Sequence, residues 1–424
     1  MEKRGSIPFY GFWKGEIMAK NIAIIGFGGR GHIYGNYAKC NPDKFRVVAV
    51  ADVAPHRLAD AKENYGADVY SDYRELLNKG YKLDLVVIST QDAQHREHAL
   101  YALEKGYDLL LEKPIAIKEE DCREIYACAT KNNRRVFVCH VLRYTPFYRT
   151  IKDILDAGEV GEVVAIHASE NVGYYHQAHS YVRGPWRNEA ESSPMILAKC
   201  SHDMDIIRYL MGERCVAVSS QGGLHFFHEA NAPEGSTAYC SDCPHVGSCV
   251  YSSRKIYLEH QWMAGYFLKS EMTEENIVKE LPYSAYDRCV FRCDNDVVDH
   301  QSTVLLFENG KTATHTMTAF SKEIYRDIKI FGTKAELVGV MEKNWIEVRP
   351  FGGETYTVNV DISVAKTGGH SGGDYCMMSE IYNVLNGETG KGVTYLDVSI
   401  ESHLMSFAAE RSRVNGGETQ KIKL

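Results

Sequence analysis

The chain has 424 residues, 44% of them hydrophobic, and a formal net charge of −8. That length allows two or three domains with sizeable cores, and the acidic balance excludes a general nucleic-acid or anionic-membrane partner. No window approaches the roughly 18 consecutive apolar residues of a membrane span, and the N-terminus lacks the apolar core of a secretory signal, so the chain reads as cytoplasmic.

Residues 1–18 read as an N-terminal extension, with Met18 a natural start ahead of the first strand. That predicted strand, 21–25, runs straight into Gly26-Phe27-Gly28-Gly29-Arg30-Gly31. Three glycines at this spacing let a strand turn tightly, let backbone approach a pyrophosphate, and let the next helix pack on the sheet. The helix N-terminus then offers free N–H groups and the positive end of its dipole to the phosphates. A second apolar strand, 45–51, ends at Asp52, which lies 21 residues after Gly31. A carboxylate there can accept hydrogen bonds from a ribose 2′-OH and repel a 2′-phosphate, so NAD is favoured over NADP.

The strand 83–89 is nearly all apolar, as expected of a strand buried on both faces. A helix over 94–106 and a strand over 107–111 come next, and the strand leads into Glu112-Lys113-Pro114. Another helix and the strand 136–139 complete a βαβ succession, which implies a parallel, doubly wound sheet in residues 19–144. Arg143-Tyr144, just past the last strand, is placed near the edge where ligands of such sheets bind.

After about residue 145 the texture changes. Strand-like runs at 162–170, 216–222, 297–307, 311–320, 325–332 and 345–350 suggest an α+β domain, 145–424, with a large open, mostly antiparallel sheet. One helix, 194–211, opens at Pro194 and stops at Gly212; helices return over 374–385, with Asp374 as N-cap, and 396–414. His370, in a glycine-rich entry to the first of these, either belongs to that entry or reaches the cleft.

Three stretches carry chemistry. Lys113 precedes Pro114, hence extended backbone, at the carboxyl end of a parallel strand, where its ammonium can bond a substrate hydroxyl. His202 lies on the 194–211 helix three residues from Lys199, on one face, and a histidine can take and return a proton near neutral pH. Between 173 and 187 the chain is rich in aromatics, His and Arg. There Trp186 and its neighbours would pack on sugar rings while His176, His179, Arg183 and Arg187 bond hydroxyls. Separately, a cysteine-rich insertion near 228–295 contains Cys240-x-x-Cys243 and Cys249, a knuckle-like start for a structural zinc site, with Cys289, Cys293 and His245 as candidate fourth ligands.

The chain resembles the Gfo/Idh/MocA oxidoreductases from residue 20 to about 415. The resemblance rests on the glycine loop and on Ser89-Thr90-Gln91-x-x-x-His95. It rests also on Glu112-Lys113-Pro114, Cys200-x-His202-x-x-Asp205 and Gly332-Thr-Lys-Ala-Glu-Leu337. It implies a Rossmann domain, a second domain whose open sheet forms a homodimer or homotetramer interface, and bound NAD. Cofactor contacts would come from Gly26, Gly28, Gly29, Arg30, Gly31, Asp52, Thr90, Gln91, His95, Glu112 and Lys113. Lys113 and His202 would be catalytic, with Arg143 and Tyr144 near the substrate. Where the family pattern has a carboxylate four residues before the histidine, this chain has Ala198, so either Lys199 assists or Asp203 or Asp205 orients the ring. The implied reaction passes a hydride between a secondary hydroxyl of a sugar, glycoside or cyclitol and nicotinamide. A redox-assisted glycosidase or lyase that recycles its NAD, and a ligand-sensing regulator, are the alternatives.

Overall fold

The computed structural model describes residues 19–363, 370–390 and 392–423, so the N-terminal extension and Gly368-Gly369 lie outside the described residues. The first sheet contains β1 (Lys20–Ile25), β2 (Phe45–Ala51), β3 (Asp68–Tyr70), β4 (Leu85–Ile88), β5 (Leu109–Leu111) and β6 (Val136–Val138). All pairs are parallel, in the order β3-β2-β1-β4-β5-β6. Every residue of β4, β5 and β6 is buried, because helices cover both faces. One face packs against Ala99, Leu103 and Ile125, and also against Leu396, Ile400 and Leu404 of the last long helix, Leu396–Val414. The other face receives Met377, Met378 and Ile381 of the helix Gly373–Leu385. The chain's C-terminal helices thus return to close the first domain.

The second sheet contains β7 (Val163–Asn171), β8 (Cys215–Gly223), β9 (His300–Phe307), β10 (Thr312–Thr318), β11 (Tyr325–Gly332), β12 (Ala335–Val340), β13 (Trp345–Pro350), β14 (Tyr356–Asn359) and β15 (Gln420–Lys421). Its order is β14-β13-β12-β11-β7-β10-β9-β8-β15, antiparallel except for β7 beside β10. One face carries the largest core, where Ile166, Leu305, Ala313 and Ile328 meet Ile151 and Met204 of the covering helices. The other face is the wet side of the alternation.

Two expectations change. The 194–211 helix is two pieces, Met195–Ala198 and Ser201–Met211. Lys199 (φ −105°, ψ −50°) and Cys200 (φ −92°, ψ 3°) break it, and the Ala198 carbonyl accepts from the Lys113 ammonium at 2.7 Å. The stretch 173–187 is not an open loop. Tyr174–His176 runs into a π-helical segment, Gln177–Arg183, every residue of which is buried. The insertion forms the lid over it, and Ala178 and Val182 share a core with Phe227, Tyr257 and Phe291.

Candidate active site

β1 delivers the glycine loop to the carboxyl edge of the first sheet. Gly26 has φ +88°, and a Cβ there would stand 2.7 Å from the Ser89 carbonyl oxygen; a Cβ on Gly31 would stand 2.4 Å from that of Gly26. Both glycines are sterically required, whereas Gly29 faces open space. The helix Gly29–Cys40 begins with no side-chain cap, so first-turn N–H groups remain for an anion. Asp52 is buried; its carboxylate accepts from the N–H groups of Phe27 (2.7 Å) and Ala54 (2.8 Å). It is thereby fixed at the loop's rim, with Arg57 3.4 Å away. A cradle that added carbons would fill, an uncapped helix start and an acid at the second strand end fit a dinucleotide.

Arg30 turns inward. Its guanidinium bonds Glu112 (2.5 Å), Asp374 (2.6 Å) and the Tyr34 hydroxyl (2.6 Å), and Tyr34 in turn bonds Glu112. Burial pushes the Glu112 carboxyl up, but Arg30 and Tyr34 outweigh it and hold it below the usual range. Asp374 is therefore not the N-cap of its helix, a place taken by Gly372; it is an ion-pair partner that also holds His370 at 2.8 Å. His95 is fully buried and ties the Thr90 carbonyl (3.2 Å) to that of Pro114 (2.7 Å), which shapes the Lys113 turn from behind. The Thr90 hydroxyl sits 3.0 Å from His98, and Gln91 is exposed at the loop's mouth.

Lys113 and His202 converge from the two domains. Burial pulls the Lys113 ammonium below its ordinary value, helped by Lys199 and Arg30 and opposed by Asp92 and Glu112. Burial also holds the His202 imidazole well below the usual histidine range, with Lys113, His140 and His370 acting in the same direction. Its Nδ1 is buried without a hydrogen-bond partner. The rings of His140 and His370 stand 5.8 and 6.0 Å from it. Neither nearby acid orients the ring: Asp203 is held by Arg326 at 2.9 Å, and Asp205 by Arg143 through two 2.6 Å bonds. A carboxylate does stand beside Lys199: that of Glu170 of β7, 3.3 Å from the Lys199 ammonium and also paired with Arg326. Glu170 and Arg326 are cross-strand partners in the β7–β11 register.

The expected substrate residues scatter. Arg143 is consumed by Asp205, and the Tyr144 hydroxyl stands 3.0 Å from that of Thr394 in the interior. His179 bonds the Tyr257 hydroxyl and stacks on Tyr286. Arg183 bonds carbonyls within the insertion, and Arg187 grips Asp294. Trp186 packs near Tyr181. His176 alone stays close to the reactive groups, its imidazole depressed by burial and by Lys199. Residues missed from sequence are Glu170, His140 and Arg326; His370, read from sequence as either part of its helix entry or reaching the cleft, has its ring 6.0 Å from that of His202. Glu170 had a signal, since it falls on the same strand face as Ile166. Among the described residues, Cys200, Asp203 and His315 bring potential metal-ligand atoms within 4.8 Å of one another. Arg326 already supplies the positive charge there.

Comparisons with known proteins bear on the family and the fold. Residues 20–140 match a model described as an oxidoreductase family with an NAD-binding Rossmann fold, and residues 148–338 match the GFO/IDH/MocA C-terminal domain. A putative oxidoreductase, YteT of Bacillus subtilis, is 24% identical over 86% of this chain and 88% of its own length. Inositol 2-dehydrogenase 2 of Saccharopolyspora erythraea is 31% identical over 48% of this chain and 57% of its own. A levoglucosan dehydrogenase solved with NADH and levoglucosan superposes with a TM-score of 0.72 at 17% identity, covering 96% of this chain and all of that one. The WlbA dehydrogenase of Bordetella pertussis, solved with NADH and UDP-GlcNAcA, gives 0.68 at 16% identity, covering 96% and 99%.

Proposed function

The chain belongs to the Gfo/Idh/MocA family of NAD-binding oxidoreductases, and from that premise we propose that its substrate is a sugar, glycoside or cyclitol oxidised at a secondary hydroxyl. The observation that carries the reading is the meeting of Lys113, from the Rossmann edge, with His202, from the second domain, where burial lowers both groups below their ordinary values. Bound NAD would be held by the glycine loop and the uncapped helix start, with Asp52 toward the adenosine ribose and NAD preferred over NADP. When bound, it supplies the hydride acceptor at nicotinamide.

The protein handles the proton. Lys113, anchored to the Ala198 carbonyl, bonds the substrate hydroxyl and lowers the cost of its ionisation. Neutral His202 is able to accept the proton. Lys199, held by Glu170, keeps a second cation beside the pair and polarises the substrate oxygen. Arg30, Glu112 and Asp374 fix the turn behind Lys113. The recycling alternative rested on the 173–187 stretch, whose His179, Arg183 and Arg187 are engaged elsewhere.

Lys113→Met and His202→Ala are expected to keep cofactor binding, read by NADH fluorescence. Each should lower turnover by about 10²-fold or more, read as NADH production across a panel of sugars and cyclitols. Near-normal turnover of Lys113→Met on the best substrate would overturn the assignment.

A further inference from the structure

Four thiols converge inside the cysteine-rich insertion, away from the reactive pair. Cys240, Cys243, Cys249 and Cys289 line one cavity of about 20 Å³. No disulfide joins any cysteine among the described residues. Local folding brings the four together. An antiparallel bridge between Tyr239 and Arg288 places Cys240 and Cys289 on the same face of the paired segments. A tight turn closes Cys240-x-x-Cys243, with the Cys243 N–H donating to the Cys240 carbonyl at 3.2 Å, and the Cys249 N–H donates to His245 at 2.8 Å.

Two further features bear on the four sulfurs. Backbone N–H groups face the thiols: that of Ser253 donates to Cys240 Sγ at 3.5 Å. Those of Tyr251 and Phe291, each two residues beyond its cysteine, face Cys249 and Cys289. The second feature is Arg183, which is 2% exposed. Its guanidinium bonds the carbonyls of Arg288 and Tyr251 and the sulfur of Cys240 at 3.7 Å, and its Nη1 is buried without a partner. No carboxylate pairs with it among the described residues. A buried cation without a counter-ion is costly; four thiolates around a divalent ion would carry the opposing charge.

We propose that Cys240, Cys243, Cys249 and Cys289 bind one zinc ion, with Arg183 as the buried counter-ion of the tetrathiolate. No three of the sulfurs have drawn within 4.8 Å of one another, so binding at Zn–S distances of about 2.3 Å closes the segments onto the ion. The consequence is a staple. It fastens the 240–249 turn to the 289 segment and, through Arg183, fixes the Gln177–Arg183 helix that continues from His176.

The test uses the full chain, purified without chelator or metal-affinity resin. Elemental analysis should give about one zinc per chain. Cobalt exchanged into the protein should show the intense visible bands and sulfur-to-metal charge transfer of a tetrahedral four-thiolate site. Cys249→Ser and Cys289→Ser should lose the metal, and Cys293→Ser should keep it. If the serine variants fail to fold, the cobalt spectrum of the unmodified protein still counts the thiolates. Metal-free protein whose Cys243 and Cys249 react freely with a thiol reagent would overturn the proposal. So would a weak octahedral cobalt spectrum, or iron with acid-labile sulfide.

Discussion

His202 shows how residue chemistry here depends on burial more than on any one partner. It is one of several histidines held neutral inside the protein: burial depresses His403 to about 3, and His98 and His179 to about 4. Each folded value lies below the unfolded value of about 6.5. Between those values the unfolded chain binds more protons than the folded one, so stability rises with pH across the window and is lost as pH falls below about 6.5. The expected loss is roughly 1 kcal/mol per such histidine per pH unit. Urea midpoints at pH 7.5, 6.5 and 5.5 check this; the last should drop clearly, whereas a flat profile would contradict the burial argument. The same residues mark how far sequence reading reaches. The placement of Gly26, Gly31 and Asp52 around one loop was legible because it is local, set by a strand end and a turn. His140 and His403 were not, because their 5.4 Å ring contact joins the segment just after β6 to a helix more than 250 positions on.

At the scale of elements, the helix Leu396–Val414 binds the molecule together. It lies against β8, against the helix Ser201–Met211 that carries His202, and against Glu119–Lys131 of the first domain. Glu401 on this helix accepts from the Cys215 N–H at 2.8 Å, forms an ion pair with Arg208 at 2.8 Å, and is itself buried. Glu401→Ala strands a buried amide and a largely buried guanidinium, at an expected cost of about 3 kcal/mol. Glu401→Gln keeps the acceptor for Cys215 and should lose less. Chemical denaturation of both variants against the parent tests the order, and equal losses would show that the charge paired with Arg208, which both changes remove, outweighs the Cys215 acceptor and the packing. The helix itself was readable from its apolar spacing, as were most strands of both sheets, whereas β3, β12, β14 and β15 were not. The break at Lys199 was not, because a Lys113 ammonium from another domain competes for a carbonyl, and no local pattern records that. The 173–187 stretch misled for a similar reason. Aromatics beside His and Arg suit either a sugar or a core, and the cover that decides it comes from the insertion.

For the whole molecule, the open question of assembly turns on the outer face of the nine-stranded sheet. Register places Leu306, Thr312, Ala165 and Phe331 in one row across β9, β10, β7 and β11, with Val304, Thr314, His167 and Lys329 in the next. Val304 is 52% exposed and Leu306 41%. Apolar side chains and short threonines on a broad sheet face make a surface that another copy can cover, and a self-complementary patch closes with two-fold symmetry. An edge-strand role would not need such residues at the sheet's centre. Light scattering at micromolar concentration should therefore give two or four times the mass of one chain. The double change Val304→Lys and Leu306→Lys puts charge at the middle of the face without touching the core, since both side chains point outward. It should shift the protein to single chains while near-native circular dichroism is kept. A monomer before mutation, or an assembly indifferent to both lysines, would place the interface elsewhere.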